Sequence, residues 1–478
     1  MITYVFDKKK AVPLYMQLYR SIKEDIEQGK LTSGTRLPSK RSFAENLGVS
    51  TITVENAYEK LVSEGYIRSV SRSGFFVEDI ELPVSLDGRG TSGVGADENK
   101  IKRTAGFSGE EAVEIKYDFT SNMTVKTVSP FLTWSKIARK VMAENQDEIL
   151  TVAPSNGTQV LRYAIARHIW GFRGMNVNPE NIVIGAGTEY LYSLLIQLLG
   201  RDKVYALEEP GYDKIAKVYT ANGVAIRYIP LDENGIDIDR LSESDADIFH
   251  ISPTHHFPTG IVTQVARRYE ILRLAEERGD CYIIEDDYDS ELGTGGKPMQ
   301  TLMEMDRGGR VIYMNTFTKT LSATIRISYM ILPDELAEKF HKNLGFYSCT
   351  VSNFQQYTLA RFIDEGFFES RIRRLRRYYA KEKEVLIKEL SRYRSFETAT
   401  LGEKGAGQHI LIYLWHRGKD NVDSIIKAKA LSNGIKINTL SDYYRDKSEG
   451  TGVLVLNYSS IPIEEIPAAV KLLDEAIG

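Results

Sequence analysis

The chain has 478 residues, of which 42% are hydrophobic and 26% charged, and its formal net charge is −4. That length exceeds one ordinary core and predicts two or three domains. The net acidity excludes a generic polyanion binder, and the first 79 residues carry 12 Lys and Arg against 10 Asp and Glu, a net of only +2, so nucleic-acid contacts must come from local placement of charge.

The chain opens Met-Ile-Thr-Tyr-Val-Phe-Asp and then Lys8, Lys9 and Lys10, an order of charge and apolar residues wrong for a signal peptide. Leu14, Leu18, Ile22 and Ile26 recur every four positions and predict an amphipathic helix, ended by Gly29 and Thr32-Ser33-Gly34. Ser39 is placed to cap a second helix running to Leu47. Gly48 makes the turn, and Ser50 or Thr51 caps a third helix reaching about Ser63, with Gly65 beyond it. Tyr66-Ile67-Arg68 and Gly74-Phe-Phe-Val77 read as two short strands around Ser71-Arg72-Ser73. Residues 8–79 thus predict three helices and a β-hairpin wing. Residues 80–114, with Leu86-Asp-Gly-Arg-Gly-Thr-Ser-Gly-Val-Gly, predict a flexible linker.

From about 115 to 478 helical and strand patterns alternate. Asn181–Gly185, Lys203–Leu207, Cys281–Glu285 and Val311–Asn315 are short apolar strands, and the alternation predicts an α/β domain with a mostly parallel sheet. The longest nearly apolar stretch, Tyr190–Leu199, is broken by Ser193 and Gln197 and is about half the length of a membrane span, so no membrane partner is expected. Cys281 and Cys349 form no disulfide framework and lack metal spacing, which fits a reducing cytoplasm.

Two helices joined by a short glycine turn place the second in a DNA major groove. Ser50, Thr51 and Thr53 then face phosphates or base edges, Lys40 and Arg41 open the preceding helix toward the backbone, and Arg72 tips the wing. Leu37-Pro-Ser-Lys-Arg41, Leu47-Gly-Val-Ser50, Val54-Glu-Asn-Ala-Tyr58, Leu61-Val-Ser-Glu-Gly-Tyr66 and Gly74-Phe-Phe-Val77 together resemble the GntR-type winged helix. That family usually has arginine just after Ser50, where this chain has Thr51. The competing reading is a helical bundle that only packs against the larger domain.

Further on, residues suited to pyridoxal phosphate follow in order. Such chemistry needs a lysine amine, a carboxylate for the pyridine nitrogen and donors around a dianionic phosphate. Lys319, in Asn315-Thr-Phe-Thr-Lys319-Thr-Leu-Ser, follows an apolar strand rather than sitting in a solvated segment, the fate of most lysines. Thr316 and Thr318 flank it, and Arg326 offers a guanidinium fork. Asp286 follows a strand in Glu285-Asp-Asp-Tyr-Asp-Ser-Glu291. Read alone the run is a metal site or a solvated loop; paired with Lys319 it offers the pyridinium partner, and Tyr288 could donate to the ring's phenolic oxygen. Gly185-Ala-Gly187-Thr188-Glu opens a helix whose backbone N–H groups would meet phosphate. Tyr212 is either a cover over the ring or an ordinary loop aromatic.

These stretches resemble fold type I aminotransferases. More narrowly, Glu208-Glu-Pro-Gly-Tyr212, Ser252-Pro-Thr-His-His-Phe-Pro-Thr-Gly260, Glu285–Glu291 and Thr316-Phe-Thr-Lys-Thr-Leu321 resemble the MocR/GabR-type regulators, GntR-type winged helices fused to an aminotransferase-like domain with a small C-terminal α+β subdomain. The resemblance implies that Lys319 forms the internal aldimine with pyridoxal 5'-phosphate. It also implies that Asp286 pairs with the pyridine nitrogen, Tyr288 reaches the phenolic oxygen, Tyr212 stacks, Thr316 and Arg326 hold phosphate, and the assembly is a head-to-tail homodimer on a double-stranded DNA operator.

The chain departs from the enzymes at three places. In Leu454-Val-Leu-Asn-Tyr-Ser459, Val455 stands where they carry the carboxylate-binding arginine, and the nearest upstream arginine is Arg445. Asp213 and Lys214 stand where GABA-responsive relatives have arginine, so the expected effector is a different amine or amino acid, or pyridoxal phosphate itself. Phe257 replaces an asparagine, and His256 either substitutes in part or packs in a turn. Arg371, Arg373, Arg374, Arg376 and Arg377 read as a solvated helix or as a DNA-backbone contact. The expected function is a ligand-responsive transcription regulator; the alternative is an active aminotransferase with an autoregulatory DNA-binding module.

Overall fold

A computed structural model describes residues 3–4, 6, 12–70, 73–79, 114–121, 128–293, 299–397, 400–402, 408–414 and 421–477. Arg72 and residues 80–113 of the expected linker lie outside them. The chain divides into two compact units, residues 1–109 and 110–478.

In the first unit, helix α1 (Leu14–Glu27) buries Leu18, Tyr19, Ile22 and Ile26, the fourfold stripe read from the sequence. Strand β1 (Arg36–Leu37) follows, then α2 (Lys40–Leu47) and α3 (Thr51–Ser63). The Ser39 hydroxyl accepts the Ser42 N–H and the Ser50 hydroxyl accepts the Thr53 N–H, each at 3.2 Å. Each cap contributes about 1 kcal/mol by satisfying a donor the helix leaves open. Gly48, at φ 65°, turns the chain between them in a left-handed conformation that favours glycine. Strands β2 (Ile67–Val70) and β3 (Gly74–Val77) form the hairpin. Strand β1, too short to show a pattern, pairs antiparallel to β3 with Arg36 opposite Phe76. Phe43, Val54, Ala57, Tyr58 and Leu61 fill the core.

In the second unit, β4 (Tyr117–Asp118) lies apart from the main sheet. That sheet is built from β5 (Ile182–Gly185), β6 (Val204–Glu209), β7 (Ala225–Asp232), β8 (Gly235–Ile236), β9 (Ile248–Ile251), β10 (Tyr282–Asp286), β11 (Val311–Thr316) and β12 (Ser328–Ile331), in the order β5-β12-β11-β10-β9-β6-β7-β8. Strands β11, β10, β9, β6 and β7 run parallel, whereas β12 is antiparallel to both neighbours. Every residue of β5, β9, β10, β11 and β12 is buried. Strands covered on both faces read as unbroken apolar runs, which is why four of these eight were legible. A smaller sheet joins β13 (Thr400–Gly402), β14 (His409–Tyr413), β17 (Val453–Asn457) and β16 (Asn438–Thr439), while β15 (Ile435–Lys436) pairs with β4. Among the described residues no helix is long and apolar enough to cross a membrane.

The arginine run fits neither expectation as a whole. It lies on the helix Phe367–Leu390, where Arg371 is buried and Arg373, Arg374 and Arg377 are exposed. The Arg371 guanidinium donates to the carbonyls of Val128, Thr320 and Leu321, and Arg376 Nε donates to Glu291 O at 2.7 Å. Two of the five are therefore internal fasteners, and Arg371 grips the two residues that follow Lys319. On the same helix Glu382 is fully buried. Neither of its carboxylate oxygens has a hydrogen-bond partner among the described residues, and burial pushes it up to about 9.

Candidate cofactor site

In open α/β sheets, ligands lie beyond the carboxyl ends of the parallel strands. Here Asp286, the last residue of β10, and Thr188, Tyr212, His256 and Lys319, in the segments after β5, β6, β9 and β11, all line one cavity of about 530 Å³. Tyr288, Thr316, Thr318 and Arg326 line it as well. The volume falls in the usual range for a small-molecule site.

Lys319 leaves β11 by a turn knotted with hydroxyls. Thr316 Oγ1 donates to Thr318 Oγ1 at 2.8 Å and accepts the Ser328 hydroxyl at 2.8 Å and the Thr318 N–H at 3.2 Å. Burial lowers the Lys319 amine to about 8, although the nearby Asp289 charge opposes that shift. More of it is then in the unprotonated, nucleophilic form near neutral pH. Its Nζ lies 5.9 Å from the centroid of the Tyr288 ring.

Asp286 Oδ2 accepts the Tyr192 hydroxyl at 2.7 Å and lies 3.6 Å from His250 Nε2, while His250 Nδ1 meets the Tyr219 hydroxyl at 2.7 Å. Asp286 Oδ1 is buried with no hydrogen-bond partner among the described residues. A buried acceptor without a donor is costly, and a protonated pyridine nitrogen is the donor such an oxygen lacks. The residues present therefore fit pyridoxal phosphate. Tyr192 and His250 carry no motif signal, because only the fold brings them behind Asp286.

The phosphate end is more crowded than the sequence suggested. The helix Thr188–Leu199 starts at Gly187, whose φ is 97°. That backbone conformation favours glycine, and a Cβ there would also push against the Arg326 guanidinium. Arg326 Nη2 bonds Glu189 Oε2 at 2.5 Å, and Lys214 bonds the other oxygen of the same carboxylate. Burial opposes ionisation of Glu189, yet Lys214, its own backbone N–H and Arg326 hold it down to about 2. Glu189, unassigned from the sequence, thus occupies both cations.

Tyr212 is 43% exposed and stands edge-on to Phe257, with centroids 5.9 Å apart at 88°. His256 does pack in a turn, with Nδ1 2.7 Å from Thr259 Oγ1 and its carbonyl accepting the Gly260 N–H. It also lines the cavity, and burial drives it down to about 3, so it is neutral. Val455 is buried in β17, whereas Arg445 lines the cavity with its guanidinium 4.8 Å from the centroid of Tyr228. The missing strand arginine is thus accompanied by one arriving from a loop, which spacing along the chain did not reveal.

The acidic run is not a solvated loop, because Glu285, Asp286, Asp287, Asp289 and Glu291 are all buried. Among the described residues no cluster could hold a metal ion. Glu285 accepts the Leu302 and Met303 N–H groups, Asp287 meets Arg173 and the Tyr313 and Ser290 hydroxyls, and Glu291 accepts from Asn315. Asp289 meets His255.

On the first unit, Thr51 and Arg41 are exposed and Thr53 is half-buried. The Ser50 hydroxyl is committed to its cap, and Lys40 is tied to Glu55 at 2.6 Å. Ile52, 66% exposed, adds an apolar contact surface that the sequence reading passed over.

A GntR-type winged helix and an aminotransferase-like cofactor cavity on one chain define a class: transcription regulators with an enzyme-derived domain. Residues 14–77 match the bacterial regulatory proteins of the gntR family, and residues 120–443 match the class I and II aminotransferases. The chain is 33% identical to the HTH-type transcriptional regulator YdeL of Bacillus subtilis (strain 168) over 478 residues, 99% of each chain. It is 29% identical over 478 residues to the "Probable rhizopine catabolism regulatory protein MocR" of Rhizobium meliloti, covering 99% of this chain and 95% of that one. An archaeal alanine:glyoxylate aminotransferase superposes with a TM-score of 0.68 at 23% identity, over 80% of this chain and 93% of the other, a likeness of fold. The protein belongs to the MocR/GabR-type subfamily of GntR regulators.

Proposed function

We propose that the protein is a pyridoxal-phosphate-dependent transcription regulator. Residues 8–79 bind a double-stranded operator, residues 80–114 link, and residues 115–478 sense a small amine, an amino acid or the cofactor itself. The observation that carries this is the convergence of Lys319, Asp286, Tyr288, Tyr212, Thr188, Thr316, Thr318 and Arg326, recruited from distant parts of the chain, on or beside one cavity.

When bound, the cofactor supplies a carbonyl that condenses with amines and an electron-withdrawing ring. Lys319 would be the amine that holds it. Asp286 would offer Oδ1 to the pyridine nitrogen, Tyr288 would donate to the phenolic oxygen, and Tyr212 would cover the ring. Thr188, Thr316, Thr318, Arg326 and the backbone after Gly187 would hold the phosphate, for which Glu189 now competes at Arg326. Arg41, Thr51 and Thr53 face the DNA, with Ser50 and Lys40 shaping the helix ends, and Arg72 adds a further DNA contact. The protein works in the cytoplasm as a head-to-tail homodimer. A ligand that binds one arrangement better than another shifts their populations and so operator affinity.

The test adds pyridoxal phosphate to wild type and to Lys319→Ala, records absorbance, and measures operator binding by fluorescence anisotropy at fixed salt with a panel of amines and amino acids. The expected result is a near-visible band lost in the variant, and at least one compound that moves both band and affinity. Affinity that ignores cofactor and every compound would sink the regulatory reading. Arg445 in the cavity favours a second reading, a working aminotransferase, because a guanidinium recognises carboxylates; multiple turnovers with an amino donor and a keto acid would establish it.

A further inference from the structure

Beside the cofactor cavity lies a buried histidine–carboxylate pair that none of the roles above uses. His255 Nδ1 is 2.9 Å from Asp289 Oδ2 and 3.2 Å from the Tyr288 hydroxyl oxygen. His255 and Asp289 are 5% and 4% exposed. We propose that Asp289 and His255 are positioning residues that fix the proton arrangement around Tyr288 and aim its hydroxyl hydrogen into the cavity. This rests on the cofactor reading above.

The argument is one of proton counting. A neutral imidazole carries one hydrogen, on Nδ1 or on Nε2. With the hydrogen on Nε2, the Nδ1 lone pair faces a carboxylate oxygen at 2.9 Å, an arrangement with no donor between two acceptors. The Tyr288 hydroxyl would then turn its hydrogen to Nδ1 and away from the cavity. With the hydrogen on Nδ1, Asp289 receives a charge-assisted bond. The Tyr288 oxygen then faces a donor, so its own hydrogen must point elsewhere, and the cavity wall is where Tyr288 lies. The carboxylate thereby selects the tautomer, and the tautomer selects the direction of a hydroxyl two bonds of the network away.

The surroundings keep the choice clean. Among the described residues the titratable groups facing this pair include Tyr288, His256, His409, Tyr458 and Lys319. The His409 ring is 5.4 Å from His255, and burial holds His409 and His256 each down to about 3, so both are neutral. His409 Nε2 faces the Pro258 carbonyl at 2.9 Å, so its proton is committed there. Lys319 Nζ lies 5.9 Å from the Tyr288 ring centroid, and the Asp289 charge acts on its amine; in cofactor-loaded protein that amine would be the one holding the cofactor.

The test uses full-length protein loaded with pyridoxal phosphate and reads the pH midpoint of the cofactor's absorbance band. Tyr288→Phe should move the midpoint by about half a pH unit or more, as expected for loss of a hydrogen bond to a titrating group. His255→Gln should move it in the same direction and, combined with Tyr288→Phe, should add no further shift. Asp289→Asn also removes a charge that acts on the Lys319 amine, so it is read as a difference: its shift in the Tyr288→Phe background is the direct charge effect alone and should differ from its shift in wild type by the Tyr288 contribution. The proposal is overturned if Tyr288→Phe moves nothing, if the His255→Gln and Tyr288→Phe shifts add in full, or if Asp289→Asn shifts both backgrounds equally. The Asp289→Asn comparison decides the matter alone if His255→Gln does not fold. Absence of any band in wild type would instead remove the cofactor reading itself.

Discussion

Replacing Arg371 by methionine isolates what a buried guanidinium does in this fold. Its side chain donates to three carbonyls, those of Val128, Thr320 and Leu321, drawn from two distant parts of the chain. Methionine keeps the bulk and removes every donor. Each buried carbonyl left without a partner costs about 1 kcal/mol or more. Part of that loss is recovered because a buried charge is removed, and burial has already pulled the guanidinium down to about 10. The net expectation is a destabilisation of about 3 kcal/mol, at the upper end of ordinary substitutions. All three tryptophans, Trp134, Trp170 and Trp415, lie beyond residue 109, so selectively excited tryptophan fluorescence during urea unfolding reports on the second unit alone. Arg373→Met and Arg377→Met, at exposed positions of the same helix, should change stability by less than about 0.5 kcal/mol. Equal losses from all three substitutions, or a loss below about 1 kcal/mol at Arg371, would refute the assignment of a fastening role.

Glu382→Gln should flatten the pH dependence of stability. The folded state keeps a proton up to about pH 9 that the unfolded chain releases near 4.5, so wild-type stability falls as pH rises through that window, by at most about 1.4 kcal/mol per pH unit; urea midpoints at pH 6 and 8 check it. Glu189→Gln removes the carboxylate that holds Arg326 and Lys214 and should tighten pyridoxal phosphate binding roughly 2- to 5-fold, a modest factor because the pair is partly solvated. An absorbance titration would read it, and weaker binding would mean that Glu189 orients Arg326 instead of competing for it. Arg41→Ala, at a side chain 87% exposed, should lower the slope of log affinity against log salt by about 0.9 for one lost phosphate contact. Thr51→Ala should leave that slope unchanged while altering preference among operator sequences.

Local rules made the first unit readable. Ser39, Gly48 and Ser50 act within a few residues of themselves, so their type and spacing already specify caps and a turn. The same held for the apolar strands leading to Asp286 and Lys319, whose burial is a property of short segments. What stayed hidden depends on distant partners. Nothing near Arg371 in sequence distinguishes it from Arg373, because its carbonyl acceptors lie about 50 and 240 residues away. Tyr192, on the helix after β5, and His250, on β9, reach Asp286 only once the sheet from β5 to β9 is assembled. Glu189 looked like a helix-start residue, and its grip on Arg326 spans 137 positions. In the sequence Arg445 is only the nearest arginine upstream of Val455, and its place in the cavity wall is a property of the folded chain.

The wall of the cavity has a consequence for the order of events during synthesis. Its contributors run from Thr188 to Lys447, and β5 cannot pair with β12 until residue 331 has emerged. The hairpin that completes the winged helix ends at Val77. Domains fold as units from the N-terminus as the chain grows, at about 5–20 residues per second, which leaves roughly 20–75 s between the two. For that interval each nascent chain carries a finished winged helix and an unfinished cavity, so the two units reach their folds one after the other.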